Sequence, residues 1–196
     1  MNTNDSVQVD ERGYWFLDLL MKHAPDPGRN GKDITPEAMI KSASWKAFEI
    51  SAGLGLIPGP IGMAVILPEI ITITKIQVNL VYQIAEYYGK RDSINHTIVL
   101  LVFGNAMGIY AGKEMIEKIG TRLVVRTLSG QAAKKLSQKL GVKISVMAVQ
   151  KSVGRFVPFV AAPVFGALSK SMTKKIGQEA MKLFSQEINI TADGRG

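Results

Sequence analysis

Apolar residues recur at three- and four-residue spacings along most of this chain, and that recurrence predicts helices rather than strands. In "DITPEAMIKSASWKAFEIS", Thr35 can cap, Pro36 suits a first helical position and Glu37 falls in the first turn, which predicts a helix over 36–52. In "EIITITKIQVNLVYQIAEYYGK", Glu69, Thr72, Lys75, Asn79, Gln83 and Glu86 share one arc while the isoleucines lie elsewhere. One amphipathic helix is expected there, closed by Gly89. "YWFLDLLMKHA" (14–24) reads as a short aromatic helix after a polar, disordered N-terminus over 1–12.

The stretches "KEMIEKIGTRLVVRTLSG" and "QAAKKLSQKLGVKISVMAVQKSVGR" read as basic amphipathic helices. Lys118, Arg122 and Arg126 share one side of the first, and Lys135, Lys139 and Lys143 one side of the second, opposite a seam of Leu136, Leu140, Ile144 and Met147. A last helix places Leu168, Met172, Ile176 and Ala180 on one face, and 188–196 reads as a flexible tail. The expected fold is an all-α helical bundle, one domain over 13–187.

Two apolar stretches break this pattern. "GLGLIPGPIGMAVILP" lies within an uncharged run over 50–68 yet carries Pro58, Pro60 and Pro68, so a straight membrane span is disfavoured and a bent hairpin expected. "FVPFVAAPVFGALS" repeats the style, with Pro158, Pro163 and Gly166 expected to break its helix. The residues assigned to enter a membrane or enclose an apolar ligand are Leu54, Leu56, Ile57, Pro58, Pro60, Ile61, Phe156, Pro158, Phe159, Pro163 and Phe165. A third uncharged segment, 93–112, sums to near zero insertion energy, its strongly apolar residues at roughly −0.5 kcal/mol each being offset by Asn95, His96, Asn105 and glycines. Gly104, Gly108 and Gly112 recur every fourth residue there and predict a helix-contact seam.

Charge adds an asymmetry. Residues 1–112 hold nine Lys/Arg against eleven Asp/Glu, and residues 113–196 hold fifteen against five, so the net +8 belongs to the C-terminal half. Lys118, Arg122, Arg126, Lys134, Lys135, Lys139, Lys143, Lys151 and Arg155 are expected to meet an anionic surface. Nucleic acid is the weaker partner, since aromatic residues for stacking are not interleaved with these cations over 118–155. Cysteine is absent, which removes thiol chemistry and fits a reducing compartment. Asp5, Asp10 and Glu11 stand where an export signal would be basic, so a cytoplasmic protein is expected, peripheral to or partly inserted in the inner membrane.

Catalytic constellations are not legible. "GLGLIP" has Pro58 at the sixth position of a dinucleotide fingerprint and follows a helix. His23 and His96 lack metal-ligand spacing, and Glu114 and Glu117 are flanked by Lys113 and Lys118 as on a solvated face. No catalytic residue, metal or cofactor is assigned. Glu69 has two readings: a first-turn acid favoured by the helix dipole, or a buried functional acid paired with Lys75 or a C-terminal lysine.

"GLGLIPGPIG…ILPEIITITKIQVNLVYQIAEYYGK" with "VGRFVPFVAAPVFGALSKSMTKKIGQEAMKLF" resembles the EcsC-like family of bacterial helical proteins, over about residues 40–187. The first block is also similar to helical hairpin modules of membrane-associated bacterial GTPases, although no GTPase domain accompanies it here. In the second block the likeness is carried by Pro158, Ala162 and Gly166, with alanine where the family often has glycine. The resemblance implies a non-enzymatic, membrane-associated protein and supplies no catalytic residues. A soluble carrier of a lipid or fatty acyl ligand, with a pocket of several hundred Å³, is the first alternative. The second is an interaction or assembly module, with a homo-oligomer or a membrane protein as its partner.

Overall fold

Thr35 starts the first helix: its hydroxyl accepts from the Ala38 N–H at 3.3 Å, and Pro36 occupies the first turn. This computed structural model describes residues 34–109, 116–119, 122–126, 130–154 and 158–191. Helix α1 (Pro36–Gly55) runs slightly past its predicted end, α2 (Gly59–Ala64) is short, and α3 (Ile66–Tyr87) is the long amphipathic helix. Gly89, at φ +66°, closes α3 as expected. A 3₁₀ turn (Arg91–Ser93) leads to α4 (His96–Ala106), whose start is capped by Asn95 accepting from the Ile98 N–H at 3.0 Å. Helices α5 (Gly130–Gly154) and α6 (Pro158–Phe184) complete an all-α bundle.

Helices α1 and α6 form the tightest pair. A Cβ on Gly55 would stand 2.9 Å from Ala162 Cα, one on Gly166 2.8 Å from the Phe48 ring, and one on Gly177 2.5 Å from Ile40. The contact order runs up one helix and down the other, so the pair is antiparallel. Small residues at three- and four-residue steps line both sides: Ser44, Ala47, Ser51 and Gly55 on α1, and Ala162, Gly166, Ser169 and Thr173 on α6, all buried. Such a surface lets backbones approach closely.

Against this pair lie α3, α4 and α5. Ile98 through Phe103 are all buried, so α4 is apolar all round because it is the central core helix. This explains the third uncharged segment without a membrane. Leu136, Leu140 and Ile144 of α5 are buried as predicted, with Met147 half-buried beside them; on α6, Ile176 and Ala180 are fully buried but Leu168 is exposed.

Several expectations fail for local reasons. Lys118, Arg122 and Arg126 do not share a helix side, because Ile116–Ile119 (β1) and Arg122–Arg126 (β2) are antiparallel strands. The signal was present in Gly120-Thr121 between two β-branched runs, the pattern of a two-residue hairpin. Glu187–Thr191 (β3) pairs in parallel with β2, so residues 188–191 of the expected tail belong to a small sheet on the bundle. The alternation of Ile188 and Ile190 is the period-2 pattern such a strand requires. Lys90 ties this region down by donating to the carbonyls of Phe184, at 2.8 Å, and Gln186. Burial holds its ammonium below the usual lysine range, with Glu187 opposing the shift.

Gly104, Gly108 and Gly112 do not form a seam either. Gly104 lies in α4 close to Leu136, but Gly108 takes φ +67° and ends the helix, and Gly112 is outside the described residues. Pro163 does not break α6, because it sits near the helix N-terminus, where few intrahelical bonds precede it. The expected disordered start (1–12) and aromatic helix (14–24), with His23 and Glu114, lie outside the described residues; Glu117 falls in β1.

The close α1–α6 approach predicts opposite outcomes for two glycines. Gly177→Val drives methyls into Ile40 and Leu80 and lowers unfolding free energy by about 1–3 kcal/mol. Gly53→Ala meets nothing within 4 Å and raises it by up to about 1 kcal/mol through helix propensity. Urea denaturation monitored by circular dichroism measures both.

Candidate functional site

Four helices bring polar side chains together inside the end of the bundle where α1 finishes and α6 starts. Ser51 comes from α1, Glu69 from the first turn of α3, Lys151 from the last turn of α5 and Ser169 from α6. Glu69 is 0% exposed and Lys151 4%. The Lys151 ammonium pairs with Glu69 Oε1, and also donates to Ser51 Oγ at 2.9 Å and Ser169 Oγ at 3.4 Å. Ser51 in turn donates to Glu69 Oε1 and accepts from Ser169 Oγ at 2.9 Å. Next to it, Thr173 Oγ1 donates to the Ser169 carbonyl at 2.9 Å and accepts from Gln77 Nε2 at 3.1 Å. The Phe165 ring closes the lysine side, its centroid 5.7 Å from Nζ.

Both sequence readings of Glu69 meet here. It is in the first turn, but it is also buried, and its partner is Lys151 rather than Lys75, which is exposed. Lys151, expected on the basic surface, is instead buried among four helices. Two serines beside a lysine resemble the nucleophile and base of some hydrolases. Here, however, Lys151 Nζ is already engaged by three partners, Glu69, Ser51 and Ser169. Ser51 is fully buried. The arrangement locks four helices together.

A cavity of about 50 Å³ adjoins the cluster, lined by Lys151, Ser169, Thr74, Gln77 and apolar residues that include Met147 and Met172. That volume holds a few waters, not an acyl chain.

Around this sealed cluster the same end of the bundle is apolar on its surface. Phe159 is 85% exposed, Ile61 72% and Val153 70%, with Leu56, Met63, Leu67, Val160 and Val164 also exposed. Pro58, Pro60 and Pro163 are exposed as well, and Leu54 and Ile57 are half-buried. Phe165 is the exception among the predicted apolar contacts, because it packs inward against Gly55 and Gly154. Pro158 is the first residue of α6, and Phe156 and Arg155 lie outside the described residues.

The expected basic stripe is divided. Lys135, Lys139 and Lys143 are exposed along α5 and Lys134 is half-buried, but Lys143 donates to the Met107 carbonyl at the end of α4, a helix-capping role. Lys118, Arg122 and Arg126 are on the strands. Residues that sequence reasoning passed over are Ser51, Ser169 and Lys170, the last with its ammonium 3.2 Å from the Trp45 ring centroid. Only the α1–α6 register, invisible in the sequence, brings them together. Among the described residues no group of His, Asp and Glu is arranged to hold a metal.

Comparison with family models, with curated proteins and with solved structures finds no match.

Removing one partner of the buried pair exposes its weight. Lys151→Met, which strands Glu69, lowers unfolding free energy by about 3–5 kcal/mol, and adding Glu69→Leu recovers most of that loss. Denaturation of the two singles and the double as a cycle measures the coupling; simple additivity of the two losses would contradict the assignment.

Proposed function

We propose that this is a non-enzymatic membrane-associated protein whose apolar end enters the interface of an anionic bilayer. The observation that carries this is the exposed apolar surface built from both Gly/Pro hairpins, with the Lys151–Glu69 pair at that end buried inside. Distance along the helices supports it. Among the described residues, counting back from that end, the first exposed basic ones are Lys46 on α1, Lys75 on α3 and Lys143 on α5, with the half-buried Lys170 on α6. Each lies about 14–18 Å from its helix tip, at 1.5 Å per residue, close to half the ~30 Å hydrocarbon thickness. Glu49 on α1 is nearer, about 9 Å back, and limits entry to shallow depth. Trp45, part-exposed beside Lys170, stands at the level where interfacial aromatics and cations collect.

The stretch Gly59–Tyr87 is long and apolar enough to cross a membrane, by length and composition alone. It comprises two helices, α2 and α3, and α3 contributes Ile73, Val78, Leu80 and Ile84 to the core, which favours shallow entry over spanning. The likeness to EcsC-like proteins points the same way. A bacterial inner-membrane location is proposed with it.

Flotation with vesicles tests the proposal. Wild-type protein floats with anionic vesicles, less with neutral ones, and an alkaline carbonate wash retains it where the hairpins have entered. Ile61→Ser with Phe159→Ser leaves the fold intact, since both side chains are exposed. Each change removes about 2 kcal/mol of apolar transfer, so the pair weakens binding by about a hundredfold or more. Absence of flotation, or binding unaffected by the pair, would overturn the proposal.

A further inference from the structure

On the flank of the α1–α6 pair, above the apolar end, lies a cleft of about 260 Å³ lined by Glu37, Ile40, Lys41, Ser44, Trp45, Lys170, Lys174, Gln178 and Met181. Three of these are cations and one is an acid. Lys41 and Lys174 form no ion pair among the described residues, and Lys170 is held over an indole face rather than by a carboxylate. Ser44 lines the same cleft. It is 3% exposed, and its hydroxyl is without a hydrogen-bond partner among the described residues.

A buried hydroxyl with no partner is uncommon in folded proteins and calls for one. Here it lines one cleft with three lysines and an indole. A phosphate ester supplies what each lacks: an acceptor oxygen for Ser44, negative charge for Lys170, Lys174 and Lys41, and, in its glycerol part, aliphatic surface for Trp45. We propose that this cleft is an anion subsite for a phosphoester group, either a phosphoglyceride headgroup or a soluble phosphoester. Identifying the source as lipid rests on the membrane proposal above; the subsite itself does not. On binding, the anion draws the Lys170 ammonium off the indole, so Trp45 reports occupancy directly.

The chain has two tryptophans, and Trp15→Phe leaves Trp45 as the only one. In that background, sn-glycerol 3-phosphate and phosphatidylglycerol vesicles are titrated separately, with phosphatidylcholine vesicles and chloride as comparisons. Both phosphoester probes are expected to change Trp45 emission saturably, and phosphatidylcholine and chloride to leave it unchanged. Ser44→Ala, and Lys170→Gln with Lys174→Gln, raise the apparent Kd for glycerol phosphate at least tenfold, while circular dichroism and the unfolding midpoint stay within error of the parent. The apolar-end pair Ile61→Ser with Phe159→Ser loses flotation yet keeps the glycerol phosphate response, which separates the two proposals. A response to glycerol phosphate with none to vesicles supports the subsite and assigns it to a soluble phosphoester. No saturable response to either probe, or a response unaltered in the Ser44 and lysine variants, would overturn the subsite.

Discussion

The Lys151–Glu69 ion pair is the constraint to which the rest of the bundle conforms. Two charges taken out of water are costly unless every remaining donor and lone pair finds a partner. Ser51 and Ser169 meet that demand from opposite helices, and Phe165 shields the lysine. The pair can be satisfied only in one mutual placement of α1, α3, α5 and α6. It therefore specifies how those helices meet more than it adds to their stability.

That placement depends on small side chains. A serine hydroxyl reaches across a helix interface only where the backbones nearly touch, and Gly55, Ala162 and Gly166 bring α1 and α6 to that distance. A larger residue at any of these positions would separate the helices and pull Ser51 from Ser169. The close packing and the polar cluster are thus one device. The same seam opens at its flank into the cleft that holds Ser44, where the hydroxyl is left without a partner.

Sealing the charges inside has a consequence at the surface. Among the described residues, this end of the bundle exposes Phe159, Ile61 and Val153 while Glu69 and Lys151 pair with each other within. Among the described residues, exposed lysines begin further back along each helix, so polarity changes over a short distance. The buried serines and lysine are close enough to suggest hydrolytic chemistry, but they spend their hydrogen bonds on Glu69 and on one another.

How much was legible in the sequence follows from the range of each interaction. Helical periodicity, the Thr35 cap, the Gly89 terminator and the charge-free hairpins are local or composition-level features, and they determined the all-α class and the residues of the apolar end. Where two local codes compete, tertiary context decided: the run over 113–126 has helix-compatible spacing of Lys118, Arg122 and Arg126, but β3 arrives from 65 residues away in sequence to pair with β2 and draw it into a sheet. Gly108 could have continued a helical seam, yet it turns the chain once α4 is enclosed. Glu69 was recognisable from sequence as an acid among isoleucines, but its partner was not, because Lys151 is 82 residues away and is selected by helix packing. The sequence by itself determined which stretches are helical and which carry no charge; only the tertiary structure decided which lysine was buried, which serines satisfied it and which basic residues remained facing solvent.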